Sequence, residues 1–399
     1  MARADDAPAS DNQICAAAEY ANAEAFSVEA HDHSFTLFPD GEDRLAKLIE
    51  HIEQAQECMQ MFYFMFQEDD AGRKVLDALV AAAKRGVEVE LMVDDFGTDA
   101  PDEFFEPLVA AGGRFDLFSP RLSVRYLIRN HQKMAIADRK RVMTGGFNVS
   151  DHYFAGPPDN GWCDLGVLIE GPVTQQFCDW FDQLKHWIEN RSDFWLVRKM
   201  VREWDSGDGP VRMLVGGPGK SASTWAVCAK VDMSEASRLD MVMAYFSPPR
   251  SFRRVMKQLA KRGRVRMVMA GKSDNTTTIA AARGFYPQLR RAGVEIAEFR
   301  PCKLHMKLLV IDDVTYFGSA NFDHRSIRLN LELMVRVESA ELAEKMREMV
   351  DHLYDASDEI SADWIKERGT WFNRFRWWLG RFIVSGVDYT IARRLNLKT

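Results

Sequence analysis

Hydrophobic positions along this chain follow two different periods, and the same succession of periods occurs twice. Residues 43–66 have apolar positions spaced as in an amphipathic helix, followed by the run CMQMFYFMF, which predicts a helix leading into a buried strand. Residues 75–95 repeat the helix, place Gly86 where it would end, and continue into a second strand. Residues 233–246 and 251–271 have the same pattern in the second half.

A third pair of segments, residues 106–118 and 286–299, also predicts a helix that ends at glycine before a strand. Helices and strands that alternate in this way, in a repeat far longer than a solenoid unit, predict a tandem duplication of one α/β domain. The predicted divisions are an N-terminal arm (1–30), a first domain (31–205), a turn-rich seam (SGDGP, 206–210), a second domain (211–357) and a C-terminal segment (358–399).

The composition narrows the class of protein. The 399 residues are 46% hydrophobic and 28% charged, which is typical of globular protein, and the chain is too long for one ordinary core. The net charge of −7 argues against a general electrostatic attraction to nucleic acid. The six cysteines form no CxxC pair, so neither a disulfide framework nor a zinc site is indicated. We expect no signal peptide and no membrane-spanning helix.

One predicted strand in each half carries a histidine and a lysine two residues apart. The pattern HxKxxxxD occurs as His131, Lys133 and Asp138 in the first half and as His305, Lys307 and Asp312 in the second. Residues two apart in a strand point to the same side, so each imidazole shares a space with an ammonium group. A lone histidine on a strand is more often a hydrogen-bonded core residue. Two matches at equivalent positions of similar halves instead indicate function.

Small residues and an asparagine follow each motif. TGGFN ends at Asn148, and FGSAN contains Ser319 and ends at Asn321. Small residues let the backbone approach a ligand closely, and an amide can donate to an anionic oxygen. Two imidazoles, two ammonium groups and two amides suit a phosphodiester, because one imidazole can attack phosphorus while the other protonates the leaving alcohol. This chemistry requires no metal or other cofactor, and no carboxylate cluster suggests one.

These motifs and their flanks resemble a known family. With NHQKMAIAD, GGFN, WCDLGVLIEGPV, AYFSPP and GSANFDHRSIRLNLE, the chain resembles the phospholipase D superfamily over about residues 35–355, and within it the shorter bacterial cardiolipin synthases. The resemblance implies a duplicated α/β domain, with a mixed sheet flanked by helices in each copy, pseudo-twofold symmetry and one active site at the interface. It also implies a phosphohistidine that holds the phosphatidyl group between two displacements.

The resemblance further implies roles for single residues. His131 is expected to attack and His305 to act as acid and then base, with the reverse assignment left open. The predicted ligands of the phosphoryl oxygens are Lys133, Lys307, Asn148, Asn321 and Ser319.

Four acidic residues complete the predicted site. Asp138 and Asp312 belong to the motifs and are included with the catalytic residues, although the family uses them chiefly as structural ion-pair partners. Asp164, 33 residues past His131, and Glu332, 27 residues past His305, are the candidates for orienting the two imidazoles. A carboxylate on one ring nitrogen fixes the tautomer and leaves the other nitrogen free.

The C-terminal segment predicts an amphipathic helix. Its apolar face comprises Trp371, Phe372, Phe375, Trp378, Leu379, Phe382 and Ile383, and its arginines, Arg374, Arg376, Arg381, Arg393 and Arg394, lie elsewhere. Aromatic residues opposite arginine favour a helix lying in an anionic membrane surface. A helix packed on its own domain, or a face covered by a partner subunit, would give the same pattern.

The sequence therefore predicts a peripheral phosphatidyltransferase on the cytoplasmic face of a bacterial inner membrane. It is expected to act as a cardiolipin synthase, with phosphatidylglycerol as the implied phospholipid substrate and no nucleic acid as partner. Three alternatives remain open at this stage: phospholipase D hydrolysis to phosphatidic acid, an endonuclease, and a non-enzymatic membrane-binding module.

Overall fold

The duplication is present in the computed structural model as two eight-stranded mixed sheets. The structure describes residues 20–119, 129–190, 194–219, 221–273 and 276–382. The strands of the first half are β1 (Phe26–Ala30), β2 (His33–Phe38), β3 (Cys58–Tyr63), β4 (Glu88–Asp94), β5 (Arg114–Phe118), β6 (Lys133–Ala137), β7 (Arg141–Gly145), β8 (Trp162–Cys163) and β9 (Gly166–Glu170). Their sheet has the order β1-β2-β9-β7-β6-β3-β4-β5, and β8 lies outside it.

The second sheet repeats this arrangement with the order β10-β17-β16-β15-β11-β12-β13-β18. Its strands, with the short β14 that pairs with β8, are β10 (Val211–Gly216), β11 (Arg238–Met243), β12 (Arg264–Ala270), β13 (Glu295–Phe299), β14 (Lys303–Leu304), β15 (Lys307–Ile311), β16 (Val314–Gly318), β17 (Glu332–Glu338) and β18 (Ser357–Glu359).

Helices cover both faces of each sheet. In chain order they are α1 (Gly41–Glu53), α2 (Asp70–Lys84), α3 (Asp102–Ala110), α4 (Asp151–Phe154), α5 (Thr174–Glu189), α6 (Phe194–Glu203), α7 (Thr224–Glu235), α8 (Arg250–Arg262), α9 (Thr276–Arg283), α10 (Tyr286–Arg290), α11 (His324–Arg328), α12 (Ala340–Asp355), α13 (Ala362–Arg368) and α14 (Trp371–Arg381). No helix within these described ranges has the length and apolar character needed to cross a bilayer.

Three hydrophobic cores hold these layers together. The central core joins the halves: it contains the inner faces of both sheets together with α5 and α12, and the rings of Phe35 and Phe317 meet there edge to face at 6.4 Å. A second core lies between the outer face of the first sheet and α1 to α3, and a third between the second sheet and α7, α8 and α10. Because apolar surface from both halves is buried in one core, the two domains form a single packed unit.

The strand directions bring both histidine motifs to equivalent edges. β6 and β15 lie in the middle of their sheets, where Lys133 pairs with Tyr63 of β3 and Lys307 pairs with Met243 of β11. β3 is parallel to β4 and β5, and β11 is parallel to β12 and β13. The carboxyl ends of those strands therefore share an edge with the start of each His-x-Lys strand, where ligands of such sheets commonly bind.

Two predicted divisions differ from the observed elements. The first sheet begins with β1 inside the predicted N-terminal arm, and Tyr20 is buried with its ring 5.0 Å from that of Phe299. The second sheet ends with β18, which pairs with β13 and extends into the predicted C-terminal segment. Residues 1–19 of the arm and residues 383–399, with the predicted Ile383, Arg393 and Arg394, lie outside the described residues.

Candidate active site

Each motif histidine lies just before its strand, where the backbone pairs with the opposite half of the molecule. The amide of His131 donates to the carbonyl of Leu331 (2.8 Å), and that of His305 donates to the carbonyl of Cys163 (2.8 Å). Asn130 forms an isolated parallel bridge with Leu331, and β14 pairs in parallel with β8. The two halves are therefore joined by two short, equivalent backbone ladders at the site.

These ladders determine which carboxylate meets which imidazole. Nδ1 of His305 lies 2.6 Å from Oδ2 of Asp164, and Nδ1 of His131 lies 3.4 Å from Oε1 of Glu332. The sequence spacing associated Asp164 with His131 and Glu332 with His305, whereas the structure pairs each imidazole with the carboxylate of the other half. Each ladder ends one residue before a carboxylate of the opposite half, so the pairs form across the interface.

The two carboxylates are held by different groups. Glu332 accepts hydrogen bonds from the hydroxyls of Ser319 (2.6 Å) and Ser326 (2.8 Å). Asp164 accepts from the amide of Leu165 (2.8 Å) and lies against Gly146, where a Cβ would come 2.3 Å from Oδ1. The hydroxyl of Ser319, predicted as a ligand of a phosphoryl oxygen, instead donates to Glu332 in the structure.

Both imidazoles are neutral at neutral pH in the unliganded site. Burial, followed by the charge of Lys307, lowers the pKa of His305 to about 4. Burial also lowers the pKa of His131, and Glu332 opposes that effect. Burial alone would raise the pKa of Asp164, but the charge of Lys307, the interaction with the His305 ring and the charge of Arg44 outweigh it, and the pKa falls to about 2. Asp164 is therefore ionised. Its Oδ2 (2.6 Å) and Nζ of Lys307 (2.7 Å) both lie within hydrogen-bond distance of Nδ1 of His305. In the tautomer in which Nδ1 donates to Asp164, Nε2 carries a lone pair.

The two lysines are buried beside the rings. Nζ of Lys133 donates to the carbonyl of His131 (2.5 Å), and Nζ of Lys307 donates to that of His305. Burial lowers the pKa of Lys133 to about 8, and the nearby charges of Glu332 and Asp164 limit that fall. The carboxylates of Glu332 and Asp164, one from each half, both raise the pKa of Lys133, and the charge of Lys133 lowers the pKa of His305. The two motifs therefore share one electrostatic site.

Both predicted asparagines are buried close to the motifs. Asn148 is 2% exposed and Asn321 is 4% exposed, and the Oδ1 atom of each has no hydrogen-bond partner among the described residues. Nε2 of His131 is a third buried polar atom that lacks a partner within those ranges. Buried polar groups are normally satisfied in folded proteins, so unpaired ones are typical of a site that binds a polar ligand.

The motif aspartates lie at the far ends of their strands, away from the histidines. Asp138 accepts the amides of Gln56 (2.9 Å) and Glu57 (2.7 Å), and Asp312 accepts that of Arg238 (2.8 Å). At about 3.3 Å per residue, each strand carries its aspartate roughly 20 Å from its histidine. The structure therefore places both carboxylates, predicted among the catalytic residues, on the backbone just before β3 and β11, which indicates a structural role.

Several neighbours of the histidines were not predicted. The rings of Tyr153 and Trp162 each lie 5.1 Å from that of His305, and the ring of Phe64 lies 4.2 Å from that of His131. Of these three neighbours, only Trp162 could have been suspected from the sequence, because it lies two residues before Asp164 in WCDLGV.

Arg44 of α1 supports the site from beneath the carboxylate. Its fully buried guanidinium donates to the carbonyls of Asp164 (2.6 Å), Tyr153 (2.7 Å) and Trp162 (3.3 Å), which are the three residues around the His305 ring. An arginine in an amphipathic helix usually faces solvent, so nothing in the pattern of α1 predicted this contact.

The comparison with known proteins agrees with this geometry. A family model described as "Cardiolipin synthase, PLD-like domain" matches residues 48–185 and 227–354, which is more than half of the chain and includes both motifs. The chain belongs to this family. It is thus an enzyme, a phosphatidyltransferase of the phospholipase D superfamily.

Relatives of this cardiolipin synthase-like chain are similar over most of their length. Cardiolipin synthase B of Escherichia coli (strain K12) is 28% identical over 353 residues, covering 84% of this chain and 84% of the relative. Major cardiolipin synthase ClsA of Bacillus subtilis (strain 168) is 28% identical over 337 residues, covering 80% of this chain and 68% of the relative. The solved phosphatidylserine synthase of Haemophilus influenzae Rd KW20 shares the fold, with a TM-score of 0.70 at 12% identity over 96% of this chain and 99% of that one.

Proposed function

We propose that this enzyme transfers a phosphatidyl group from one phosphatidylglycerol molecule to an alcohol of a second, giving cardiolipin and glycerol. The observation that carries the proposal is the crossed pairing of His131 with Glu332 and of His305 with Asp164 around the shared charge of Lys133. Two oriented imidazoles around one cationic site provide an attacking group and a proton donor for the same phosphorus. The relatives named cardiolipin synthase supply the choice of lipid.

In the first displacement, Nε2 of His131 forms a bond to phosphorus as the bond from phosphorus to the glycerol headgroup breaks. The leaving alkoxide takes a proton from Nε2 of His305. His305 is neutral in the unliganded site because its pKa is about 4, so it must gain a proton to act as the acid. The anionic phosphodiester brings the negative charge that favours this protonation.

In the second displacement, the alcohol of the acceptor lipid attacks phosphorus and gives its proton to Nε2 of His305. The bond between phosphorus and His131 breaks, and its electron pair returns to the imidazole. A neutral His305 held through Nδ1 by ionised Asp164 suits this role as base. His305 then carries the proton of the acceptor alcohol. The free enzyme is restored when His305 releases a proton to solvent, which balances the proton that it takes up from solvent before the first displacement.

The phosphoryl oxygens would be held by Lys133, Lys307, Asn148 and Asn321, all of which are buried. Charged and amide donors that are already in place stabilise the charge that develops in the transition state. Ser319 is left out of this group because its hydroxyl binds Glu332.

Hydrolysis is the main alternative reaction, because water can replace the acceptor alcohol in the second displacement without any change of residues. Both the transferase and the hydrolase would work at an anionic membrane, and we place this enzyme at the cytoplasmic surface of a bacterial inner membrane.

Products formed by the purified full chain test the proposal. The enzyme is incubated with phosphatidylglycerol in mixed detergent micelles, and lipids are measured by mass spectrometry, with His131→Ala prepared in parallel as the control. We expect cardiolipin and glycerol in equal amounts from the native enzyme and neither from the variant. Phosphatidic acid without cardiolipin would identify a hydrolase, and cleavage of DNA with no lipid product would overturn the lipid substrate.

A further inference from the structure

Helix α14 packs on its own domain through a narrow strip only. Trp377 is 7% exposed, and its ring stacks on that of Trp364 in α13 at 6.3 Å with an interplanar angle of 9°. Gly380 lies against α9, where an added Cβ would come 3.1 Å from Cβ of Ala280. These contacts fix the helix in position. They leave most of its apolar face uncovered by the described residues.

That uncovered face is a continuous aromatic stripe, which we define as Trp371, Phe375, Trp378 and Phe382. These residues are 82%, 49%, 53% and 59% exposed, and successive ring centroids lie 6.3, 6.0 and 5.7 Å apart. Phe372 is also largely exposed beside the stripe. Globular proteins rarely expose a contiguous apolar patch of this kind unless it meets a partner or a membrane.

A basic groove lies directly beside the stripe. It has a volume of about 690 Å³ between α10, α13 and α14, and its lining includes Arg290, Arg291 and Arg374 together with Trp377 and Trp378. Arg374 and Arg291 are exposed, whereas Arg290 is 3.5 Å from Glu359. Positive charge and indole rings in one groove can hold a lipid phosphate next to the acyl boundary.

The positive charge continues beyond the groove. Arg291 also lines a neighbouring depression with Arg254, Lys257 and Lys261 of α8, a helix whose sequence (RSFRRVMKQLAKR) contains no acidic residue. The whole chain carries a net charge of −7, so this surface is a local exception. Such a concentration of positive charge is complementary to anionic lipid headgroups.

The direction of α14 relates this surface to the active site. Arg374 and Trp377 line the groove with Gly284, whereas Gly380 lies against Thr277 near the start of α9, so the two helices run antiparallel. The start of α9 follows the carboxyl end of β12, at the edge of the sheet where the His305 strand begins. The aromatic stripe therefore leads toward the active-site edge.

We propose that the aromatic stripe and the basic groove form a docking surface for an anionic bilayer, with the rings in the headgroup and acyl boundary and the arginines on lipid phosphates. This surface would bring the edge that contains His305 to the lipid. The inference depends on the proposed function only in that the substrate is a membrane lipid, because docking requires no turnover.

Co-sedimentation of the full chain with vesicles tests the docking surface. Vesicles of phosphatidylcholine alone are compared with vesicles that also contain phosphatidylglycerol. We expect the native chain to bind the anionic vesicles, and the triple variant Trp371→Ala, Phe375→Ala, Trp378→Ala to bind them at least about tenfold more weakly. The double variant Arg291→Gln, Arg374→Gln should lose about tenfold or more on anionic vesicles and change little on neutral ones.

Matched controls separate docking from general effects. Trp195→Ala removes a 48% exposed tryptophan from α6, and Arg202→Gln with Lys199→Gln removes two charges from the same helix; neither should weaken binding. All variants should keep the native unfolding temperature and the native rate on micellar substrate, so a failure of lipid chemistry is distinguished from a failure of docking. Native binding by the triple variant, equal loss in the Trp195→Ala control, or a dimer that the triple variant dissociates would overturn the proposal.

Discussion

The two histidine–carboxylate pairs occupy equivalent places in the two halves, yet their surroundings differ. Trp162 lies two residues before Asp164 and Asn330 two before Glu332, while Tyr153 and Ser326 each come five residues after the motif asparagine. At these equivalent positions His305 therefore has two aromatic rings, both 5.1 Å away, and the His131 pair has a hydroxyl and an amide.

This difference explains why one pair is tighter than the other. Glu332 accepts from Ser319, Ser326 and Asn330 as well as from His131, so its contact with the imidazole is long at 3.4 Å. Tyr153 and Trp162 contact His305 through their rings, and Oδ2 of Asp164 lies 2.6 Å from Nδ1 of that imidazole. The His305 side chain is 11% exposed and that of His131 is 20% exposed.

The asymmetry favours different roles for the two rings. A firmly held imidazole in apolar surroundings suits repeated proton transfer, because its tautomer and orientation are fixed. An imidazole that is held more loosely can shift toward phosphorus as the covalent bond forms. We therefore assign attack to His131 and proton transfer to His305, and the following experiments can break or refine that assignment.

Replacing either imidazole should have the largest effect. His131→Ala and His305→Ala should each reduce turnover by at least about 10⁴-fold, because the groups act as a unit. With a phosphatidyl ester of a nitrophenol, which leaves without protonation, His305→Ala should still form the phospho-enzyme, and intact-protein mass spectrometry should detect it. His131→Ala should form none. Labelling of His131→Ala but not of His305→Ala would reverse the assignment.

Replacing the carboxylates that orient the imidazoles should have the next largest effect on turnover. Asp164→Asn removes the main partner of Nδ1 of His305 and should reduce kcat by roughly 10²- to 10⁴-fold. Glu332→Gln should cost less, because the contact that it weakens is already long. Imidazole nitrogen NMR, assigned with the two alanine variants, should show Asp164→Asn changing the titration of His305 while that of His131 stays nearly constant. A change confined to His131 would contradict the crossed pairing.

This crossed pairing also marks the limit of what the sequence could predict. The repeated motifs, the following small residues and the helix–strand order were enough to predict two α/β domains, since each is a local pattern. The single site between them was implied by the resemblance to a known family. Which carboxylate meets which ring depends on ladders between residues such as His131 and Leu331, 200 positions apart. No local pattern contains that information, and the same is true of the contacts of Arg44.

The motif aspartates lie far from their histidines for a simple geometric reason. HxKxxxxD reads as one functional unit, but a strand that begins at the lysine carries the aspartate to its opposite end. Asp138 and Asp312 have positive φ angles of 53° and 45°, so they occupy the turns after β6 and β15. Their association with the histidines reflects a shared strand and not a shared site.

The pH dependence should reveal the lysine that serves both pairs. The pKa of Lys133 is about 8, so its positive charge is present below that pH and is lost above it. We expect kcat/KM to fall about tenfold per pH unit as the pH rises beyond about 8. Lys133→Arg keeps the positive charge, so the fall in kcat/KM should move to higher pH in this variant, even if the variant is slower than the native enzyme at neutral pH. A fall in kcat/KM at the same pH in Lys133→Arg would mean that another group titrates there.

The smallest effect on catalysis should come from the motif aspartates. Asp138→Asn tolerates the left-handed backbone but weakens the bonds to the amides of Gln56 and Glu57, so it should lower the free energy of unfolding by about 1–3 kcal/mol. Urea unfolding measures this loss, and kcat on the folded enzyme should stay within about threefold of native. A large loss of kcat with unchanged stability would return the aspartate to the active site.

The pH dependence of that stability provides an independent check. Burial alone would raise the pKa of Asp138, but the backbone amides of Glu57, Gln56 and Cys58 outweigh it, so the pKa in the folded protein lies below the ordinary value. A carboxylate of this kind stabilises the fold above its unfolded pKa, and the stabilisation is lost as pH falls through the folded pKa. The native enzyme should therefore lose stability relative to Asp138→Asn as the pH falls below about 4, and the difference between the two should narrow. A constant difference down to lower pH would mean that the bonds depend on the shape of the side chain and not on its charge.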